Sequence, residues 1–240
     1  MKNILIFTLA LSSAVAAQER ITPAAPVFSI FELAIQQGKT ATYEEMAKKN
    51  ITASIADEAG TLGMYSIRQK ANVNIAYMVE IYADNDAYKK HLESPQYKAF
   101  IQNTPDIIEP NHKRKIDTVP QFLGDKKVVQ NDATINNFVI VDVKPEFSQA
   151  FKDIVLPEMV ESLKVEDGVL AMYAATDKEN SNRWYFYEIY ASTAAYEAHR
   201  QTPHFIDYLK QTANMTTNKE AVPVSPDLLL NKGGLRFTRP

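Results

Sequence analysis

An internal repeat constrains this chain more than any other feature of its sequence. Residues 77–97 align without a gap with residues 185–205, in a register of 108 residues (188 minus 80). Identical residues include a Glu-x-Tyr pair, a later His and a Pro. The same register places 58–65, Glu-Ala-Gly-Thr-Leu-Gly-Met-Tyr, over 166–173, Glu-Asp-Gly-Val-Leu-Ala-Met-Tyr. The duplicated unit is therefore a domain and not a short motif.

Composition narrows the classes of function. The chain of 240 residues has no cysteine, which excludes disulfides, thiolate metal ligands and a cysteine nucleophile. A net charge of -3 argues against a nucleic-acid partner. Residues 1–17 have the basic, apolar and small-residue regions of a signal peptide, so we expect a periplasmic or secreted protein. Later apolar runs are too short for a membrane span, and no membrane partner is expected.

Each repeat shows the same predicted order of elements. Repeat 1 (27–123) reads as a strand at 27–35, a helix at 42–57, a hairpin of strands at 62–68 and 75–83, two short helices broken at Ser94-Pro95, and a strand at 112–122. A polar linker (124–136) follows. Repeat 2 (137–231) reads as a strand at 138–143, a helix at 147–163, a hairpin at 169–175 and 184–191, helices broken at Thr202-Pro203, and a strand at 228–230. Residues 232–240 form a tail that is either mobile or docked.

This order predicts an α+β fold made of two tandem ferredoxin-like repeats. Each repeat would carry its helices on one face of an antiparallel sheet and leave the other face bare. A second copy on the same chain is the obvious cover, so we expect the two sheets to pack face to face. The repeats would then pair within one chain, and further oligomerisation is left open.

The repeated motifs resemble a known family. Glu-x-Gly-x-Leu-x-x-Tyr, followed by Tyr-Glu-x-Tyr and Ala-Tyr-x-x-His-x-x-(Ser/Thr)-Pro, is similar to the antibiotic biosynthesis monooxygenase domain of the dimeric α/β-barrel superfamily. The resemblance covers both repeats and implies an intramolecular dimeric α/β barrel. The superfamily includes cofactor-free quinol and polyphenol monooxygenases, haem-degrading monooxygenases, isomerases and members without known activity, so the resemblance implies a fold more sharply than a function.

Three polar residues recur in both repeats. Glu188 and Tyr190 are two apart on a strand and share a face, as do Glu80 and Tyr82 in repeat 1. We expect Glu188 to pair with His199, and Glu80 with His91, which would leave one imidazole nitrogen free as a general base. The alternative is a purely structural hydrogen bond that fixes the helix on the sheet.

Repeat 2 carries further residues of the types that related members use. Trp184, His204 and Asn137 stand there, and the resemblance implies that such a set orients substrate and oxygen. Tyr173 and Phe186 would add aromatic walls to a pocket. The alternative makes Trp184 a core residue and His204 a surface residue. We therefore predict that repeat 2 holds the functional pocket and that repeat 1 is its structural cover.

The sequence thus predicts an exported, cofactor-independent monooxygenase of quinol-like or phenolic molecules, with oxygen as co-substrate and His199 as the base. Glu188, Tyr190 and Asn137 would assist it. Two alternatives stay open: an aromatic-ligand-binding or scaffold protein without turnover, and a haem-binding or haem-degrading protein. No metal site is expected, because His199 and His204 lie five residues apart across a proline.

Overall fold

The computed structural model describes residues 20–240, so the predicted signal peptide lies outside the described residues. Within that range, no helix is both long and apolar enough to cross a bilayer. Repeat 1 consists of β1 (Val27–Ile35), α1 (Thr40–Asp57), β2 (Thr61–Gln69), β3 (Ile75–Tyr82), α2 (Asn85–Glu93), α3 (Pro95–Asn103) and β4 (Ile108–Asp125). Repeat 2 consists of β5 (Ile135–Val143), α4 (Ser148–Val165), β6 (Val169–Asp177), β7 (Arg183–Tyr190), α5 (Thr193–His199), α6 (Pro203–Thr212), β8 (Thr216–Val222) and β9 (Val224–Asn231), and β10 (Arg236–Thr238) follows.

The two antiparallel sheets exchange their last strands. β4 pairs with β1 through Asp117 and then with β6 of repeat 2 from Thr118 onward. In the reverse direction, β8 pairs with β5, and β9 pairs with β2 of repeat 1. The strand order is β8-β5-β7-β6-β4-β1-β3-β2-β9, and Pro223 alone separates β8 from β9 in the chain. The predicted pairing of the repeats within one chain is confirmed, and the strand exchange adds edge-to-edge continuity between the sheets.

Three apolar cores follow from the alternation of side chains along each strand. One lies between the sheets and joins residues of both repeats, with ring contacts such as Tyr77 to Phe138 at 5.1 Å between centroids. The other two lie between each sheet and its own helices. At the centre of the first core, the hydroxyl oxygens of Tyr65 and Tyr173 are 2.6 Å apart, and Tyr173 donates to buried Asp125 at 2.7 Å.

Strand β8 and the length of β4 differ from the sequence expectation, whereas the tail takes one of its two expected states. β8 was missed because its residues are mostly polar and exposed, as suits an edge strand. The tail is docked: Leu235 is 1% exposed, its backbone N–H donates to Asp125, and β10 pairs with β4. β4 also runs longer at both ends than predicted, because its two halves serve different sheets.

Candidate functional site

The histidine that recurs in both repeats is held by the glutamate of the Glu-x-Gly turn. Nδ1 of His91 lies 3.1 Å from Glu58, and Nδ1 of His199 lies 3.0 Å from Glu166. The predicted pairing of Glu80 with His91 and of Glu188 with His199 was therefore wrong. Each strand glutamate instead accepts a hydrogen bond from the tyrosine two residues later on its own strand.

The strand glutamates and tyrosines form pairs of their own. Tyr82 donates to Glu80 and Tyr190 donates to Glu188, both at 2.9 Å. The shared strand face was thus predicted correctly, but the nearest donor is the tyrosine on the same strand. Asn137 lies directly opposite Glu188 in the β5–β7 ladder, as Ser29 lies opposite Glu80, so its side chain is on the helix-facing side of the sheet.

The glycine of each turn allows the histidine-bearing helix to pack against it. A Cβ at Gly60 would lie 2.4 Å from the Cβ of Ala87, and one at Gly168 would lie 2.5 Å from that of Ala195. Any larger residue would push α2 or α5 away from its sheet. The glycine therefore brings the preceding glutamate and the helix to the distance at which the imidazole is bound.

The helix before each turn contributes residues that sequence reasoning missed. Glu158 and Ser162 of α4 and Glu166, the residue that caps its end, are spaced by four residues, which places them along one face. Repeat 1 has Asn50, Ser54 and Glu58 in the same register. Ser162 donates to Glu158 at 2.7 Å, while Ser54 lies 3.4 Å from both Asn50 and Nδ1 of His91. The repeated four-residue spacing was the signal that could have found them.

In repeat 2, His204 is a second hydrogen-bond partner of Glu166. Its Nε2 lies 2.7 Å from Glu166, and the corresponding Gln96 donates to Glu58 at 2.6 Å. Burial alone would raise the pKa of Glu166, but hydrogen bonds from His199 and His204 hold that pKa below its ordinary value. Burial raises the pKa of Glu158 to about 7, and the nearby carboxylates of Glu188 and Glu166 act in the same direction.

The aromatic residues predicted to line one pocket are divided between two faces of the sheet. Tyr173 points into the core between the sheets, as do Tyr185 and Tyr187. Trp184, Phe186 and Tyr190 point toward the helices. Since strand neighbours alternate in direction, a run of aromatic residues cannot line a single wall. The expectation of one aromatic pocket formed by Tyr173 and Phe186 was therefore wrong.

A cleft lies between the sheet and helices of repeat 1. It holds only about 20 Å³ of free space, room for about one water molecule, so an aromatic ring would have to displace part of its wall. Most of its walls are apolar, while Glu80, Asn50 and Lys113 supply polar groups. Its lining consists of Phe31, Leu33, Asn50, Met78, Glu80, Tyr97, Phe100, Ile101, Thr104 and Lys113.

The equivalent space in repeat 2 is filled by larger rings. Trp184 replaces Ala76, Phe186 replaces Met78 and Tyr208 replaces Phe100. Phe151 packs edge-on against all three at centroid distances of 5.3 to 6.4 Å, and Trp184 is 2% exposed. Trp184 is thus a core residue, as the alternative interpretation held. The rings fill the space that corresponds to the repeat 1 cleft, while a surface groove of repeat 2 is lined by Glu158, His204 and Tyr208.

Two polar groups of the repeat 1 cleft have shifted pKa values. Glu80 is 5% exposed, and burial raises its pKa, although the nearby charges of His91, Lys113 and Lys115 and the hydrogen bond from Tyr82 oppose the shift. Burial lowers the pKa of Lys113, whose Nζ lies 5.7 Å from the ring centroid of Phe31. A carboxyl group and an amine with shifted pKa values in one cleft are typical of sites that move protons.

The chain matches one family model and several solved structures. The family model described as antibiotic biosynthesis monooxygenase matches residues 26–103 and 135–211. Two solved structures described as putative monooxygenases superimpose with TM-scores of 0.84. The one from Lactobacillus acidophilus NCFM is 28% identical and covers 89% of this chain and 99% of its own. The one from Fusobacterium nucleatum is 30% identical and covers 90% and 99%.

More distant comparisons add information on the fold alone. The structure of an anthrone oxidase-like protein is 10% identical, has a TM-score of 0.52, and covers 87% of this chain and 94% of its own. The comparison with curated proteins gave no match. The tandem arrangement is therefore shared over nearly the full length with other chains of two repeats.

Proposed function

Because the chain belongs to the antibiotic biosynthesis monooxygenase family, we propose that it oxidises quinol-like or phenolic small molecules with oxygen and without a bound cofactor. We place the substrate in the cleft of repeat 1. The observation that carries this assignment is the position of Glu80, a buried carboxylate with a raised pKa in the wall of an apolar cleft. A flat aromatic molecule with one acidic hydroxyl matches such a lining.

The cleft supplies the groups that the reaction needs. Glu80 accepts the phenolic proton, and the ammonium group of Lys113 in the same wall stabilises the phenolate that forms. The electron-rich anion transfers electrons to oxygen directly and forms a carbon–oxygen bond. One oxygen atom stays on the ring as a quinone carbonyl, and the other leaves as water with the two hydrogens that the substrate loses. The substrate provides all the electrons, so no external reductant enters.

Glu58 and His91 act behind this cleft as positioning residues. The His91 ring packs on Tyr97 at 4.9 Å between centroids, and Tyr97 lines the cleft. Within residues 20–240, no group hydrogen-bonds the buried Nε2 of His91. Because Glu58 fixes Nδ1 and the ring packs on Tyr97, His91 holds Tyr97 in the cleft wall that also contains Glu80.

The competing assignment places the reaction in repeat 2, with His199 as the base and Glu188, Tyr190 and Asn137 assisting. In that case Trp184 and Phe186 would contact the substrate. This assignment requires the packed rings around Phe151 to open before a ligand enters. Paired variants of the two repeats separate the assignments, because every residue of one cleft has a counterpart in the other.

The central test compares Glu80→Gln with Glu188→Gln. Glutamine keeps the hydrogen bond from the neighbouring tyrosine but cannot take a proton. We expect Glu80→Gln to lower kcat/KM by about 100-fold or more, while Glu188→Gln stays within about 2-fold. Oxygen uptake with a panel of phenols and reduced quinones gives the rates. Mass spectrometry after turnover under ¹⁸O₂ should find one labelled oxygen in the product. Unlabelled product or a larger loss in Glu188→Gln would contradict the proposal.

One observation favours a second function, which is ligand binding without turnover. The cleft is narrow, and a site that must widen to admit a ligand can retain it without reacting. Saturable binding of a phenol with no oxygen uptake would establish this function. Haem ligation by a helix histidine is less favoured, since His91 is 0% and His199 is 1% exposed. If the Soret band of haemin does not shift when the protein is added, haem ligation is excluded.

We also propose that the protein is exported. The proposal is supported by the three-part composition of residues 1–17 and by the lack of cysteine. Sequencing the amino terminus of the protein recovered from its host should find a start close to residue 18. An intact Met1 on the folded, active protein would contradict export through a cleaved signal.

A further inference from the structure

We propose that Glu158, His199 and His204 form a binding site for a divalent first-row transition-metal ion. The three residues come from α4, from the end of α5 and from the start of α6. One ligand atom from each lies within 4.8 Å of the others. Two imidazoles and one carboxylate are the donor set that zinc and related ions bind in proteins.

The geometry requires small adjustments to hold an ion. Metal–nitrogen distances near 2.0 Å place tetrahedral ligand atoms roughly 3.3 Å apart. Side-chain shifts of about 1 Å from the distances in the structure achieve that spacing. Glu158 is 8% exposed and His199 is 1% exposed, whereas the side chain of His204 is 21% exposed. A surface groove lined by Glu158, Glu161, His204 and Asp207 gives an ion access to them.

The surroundings favour a cation at this position. Glu166 contacts one nitrogen of each imidazole, at 3.0 Å for His199 and 2.7 Å for His204, and so orients both rings as an outer carboxylate does in metal sites. Ser162 fixes one oxygen of Glu158. Glu166 and Glu188 add negative charge near the cluster, which a divalent ion would offset.

Repeat 1 has the same fold but lacks two of the three proposed metal ligands. Asn50 stands in place of Glu158, and Gln96 stands in place of His204, while His91 corresponds to His199. Gln96 keeps the hydrogen bond to the turn glutamate, and Asn50 accepts from Ser54 as Glu158 accepts from Ser162, but an amide is a poor metal ligand. The repeats therefore provide matched variants: Glu158→Asn and His204→Gln introduce residues that the same fold already accommodates.

Ligand spacing along the chain does not indicate such a site. His199 and His204 are five residues apart, and Pro203 begins a new helix between them. The change of helix direction at Thr202-Pro203 brings the two rings to a centroid distance of 6.4 Å. The third ligand comes from a helix 41 residues earlier (199 minus 158). The proposal concerns repeat 2 and does not depend on the cleft of repeat 1.

Isothermal titration of the tag-free protein with zinc chloride tests the proposal. We expect one zinc ion per chain with a dissociation constant in the micromolar range or below, as for sites with three protein ligands. Glu158→Asn/His204→Gln should weaken binding by at least about 100-fold because two of three ligands are lost. His112→Ala, which removes an exposed histidine of β4, should leave binding unchanged.

Folding of each variant is checked by far-ultraviolet circular dichroism and by the Tm measured in chelator. If the double variant does not fold, His204→Gln alone at its partly exposed position should still weaken zinc binding about 10-fold or more. Zinc should also raise the Tm of the unmodified protein more than that of His204→Gln. Binding weaker than about 100 μM, or undiminished binding in His204→Gln, would overturn the proposal.

Discussion

The charge state of Glu158 couples the stability of the fold to pH. Burial raises the pKa of its carboxyl group to about 7, from an ordinary value of 4.5. The folded protein thus keeps a proton that the unfolded chain releases between these two pH values. Stability contributed by this group is present below pH 4.5 and is lost as the pH rises toward 7.

This linkage predicts the pH dependence of Glu158→Asn. In chelator, we expect the unmodified protein to lose up to about 3 kcal/mol of stability relative to the variant between pH 4.5 and 7. Urea unfolding at a series of pH values measures the difference. Other titrating groups are common to both proteins and cancel. Parallel stability curves over that range would show that Glu158 is ionised in the folded protein.

The turn glycines give a second prediction at the same scale. Gly168→Ala should destabilise the protein by about 1 to 3 kcal/mol, because the new Cβ would lie 2.5 Å from that of Ala195. Gly60→Ala should have a similar effect through Ala87, and both are measured by urea unfolding. A neutral outcome for both would mean that α2 and α5 move away from their sheets at little cost.

At the scale of elements, the tail after β9 is a structural part of the barrel. Leu235 is buried in the core between the sheets, and its backbone binds Asp125. Leu235→Ala should cost about 2 to 4 kcal/mol of unfolding free energy, as for other large-to-small core changes. Val129→Ala, at a residue 73% exposed, serves as the control and should change stability by less than about 0.5 kcal/mol. Equal effects would contradict docking of the tail.

The elements also show which features could be predicted from sequence. The repeat register and the helix starts at Ser-Pro and Thr-Pro could be predicted, because local residue types determine them. Ser94 and Thr202 accept hydrogen bonds from the backbone N–H groups of Tyr97 and Phe205. Strand β8 could not be recognised, because an edge strand lacks apolar alternation. The exchange of β4 and β9 depends on contacts between distant segments, which periodicity does not encode.

The candidate site was predictable only in part for the same reason. The repeated glutamates, tyrosines and histidines were identified, but the histidine partners come from the Glu-x-Gly turn, 33 residues earlier. The cleft of repeat 1 is lined by Met78 and Phe100 where repeat 2 has the larger Phe186 and Tyr208. From the sequence, the additional aromatic residues of repeat 2 suggest a functional pocket there. In the folded protein, these larger rings fill the space that is open in repeat 1.

At the scale of the whole molecule, strand exchange should make folding cooperative. Neither sheet is complete without a strand from the other repeat, and the core between them contains residues of both. Trp184, the only tryptophan in the chain, reports on repeat 2. Its fluorescence and far-ultraviolet circular dichroism should therefore give coincident urea transitions. A tryptophan transition separated from the dichroism transition would show that the repeats unfold independently.

The assignment of the substrate to repeat 1 is the central claim, and exchanging one side chain between the repeats tests it most directly. Met78→Phe introduces into the cleft wall the ring that fills repeat 2, and Phe186→Met makes the reverse change. With the best substrate of the phenol panel, Met78→Phe should raise KM by about 10-fold or more at a preserved fold, and Phe186→Met should leave KM within about 2-fold. Unchanged KM in Met78→Phe together with altered KM in Phe186→Met would place the substrate in repeat 2 and contradict the assignment.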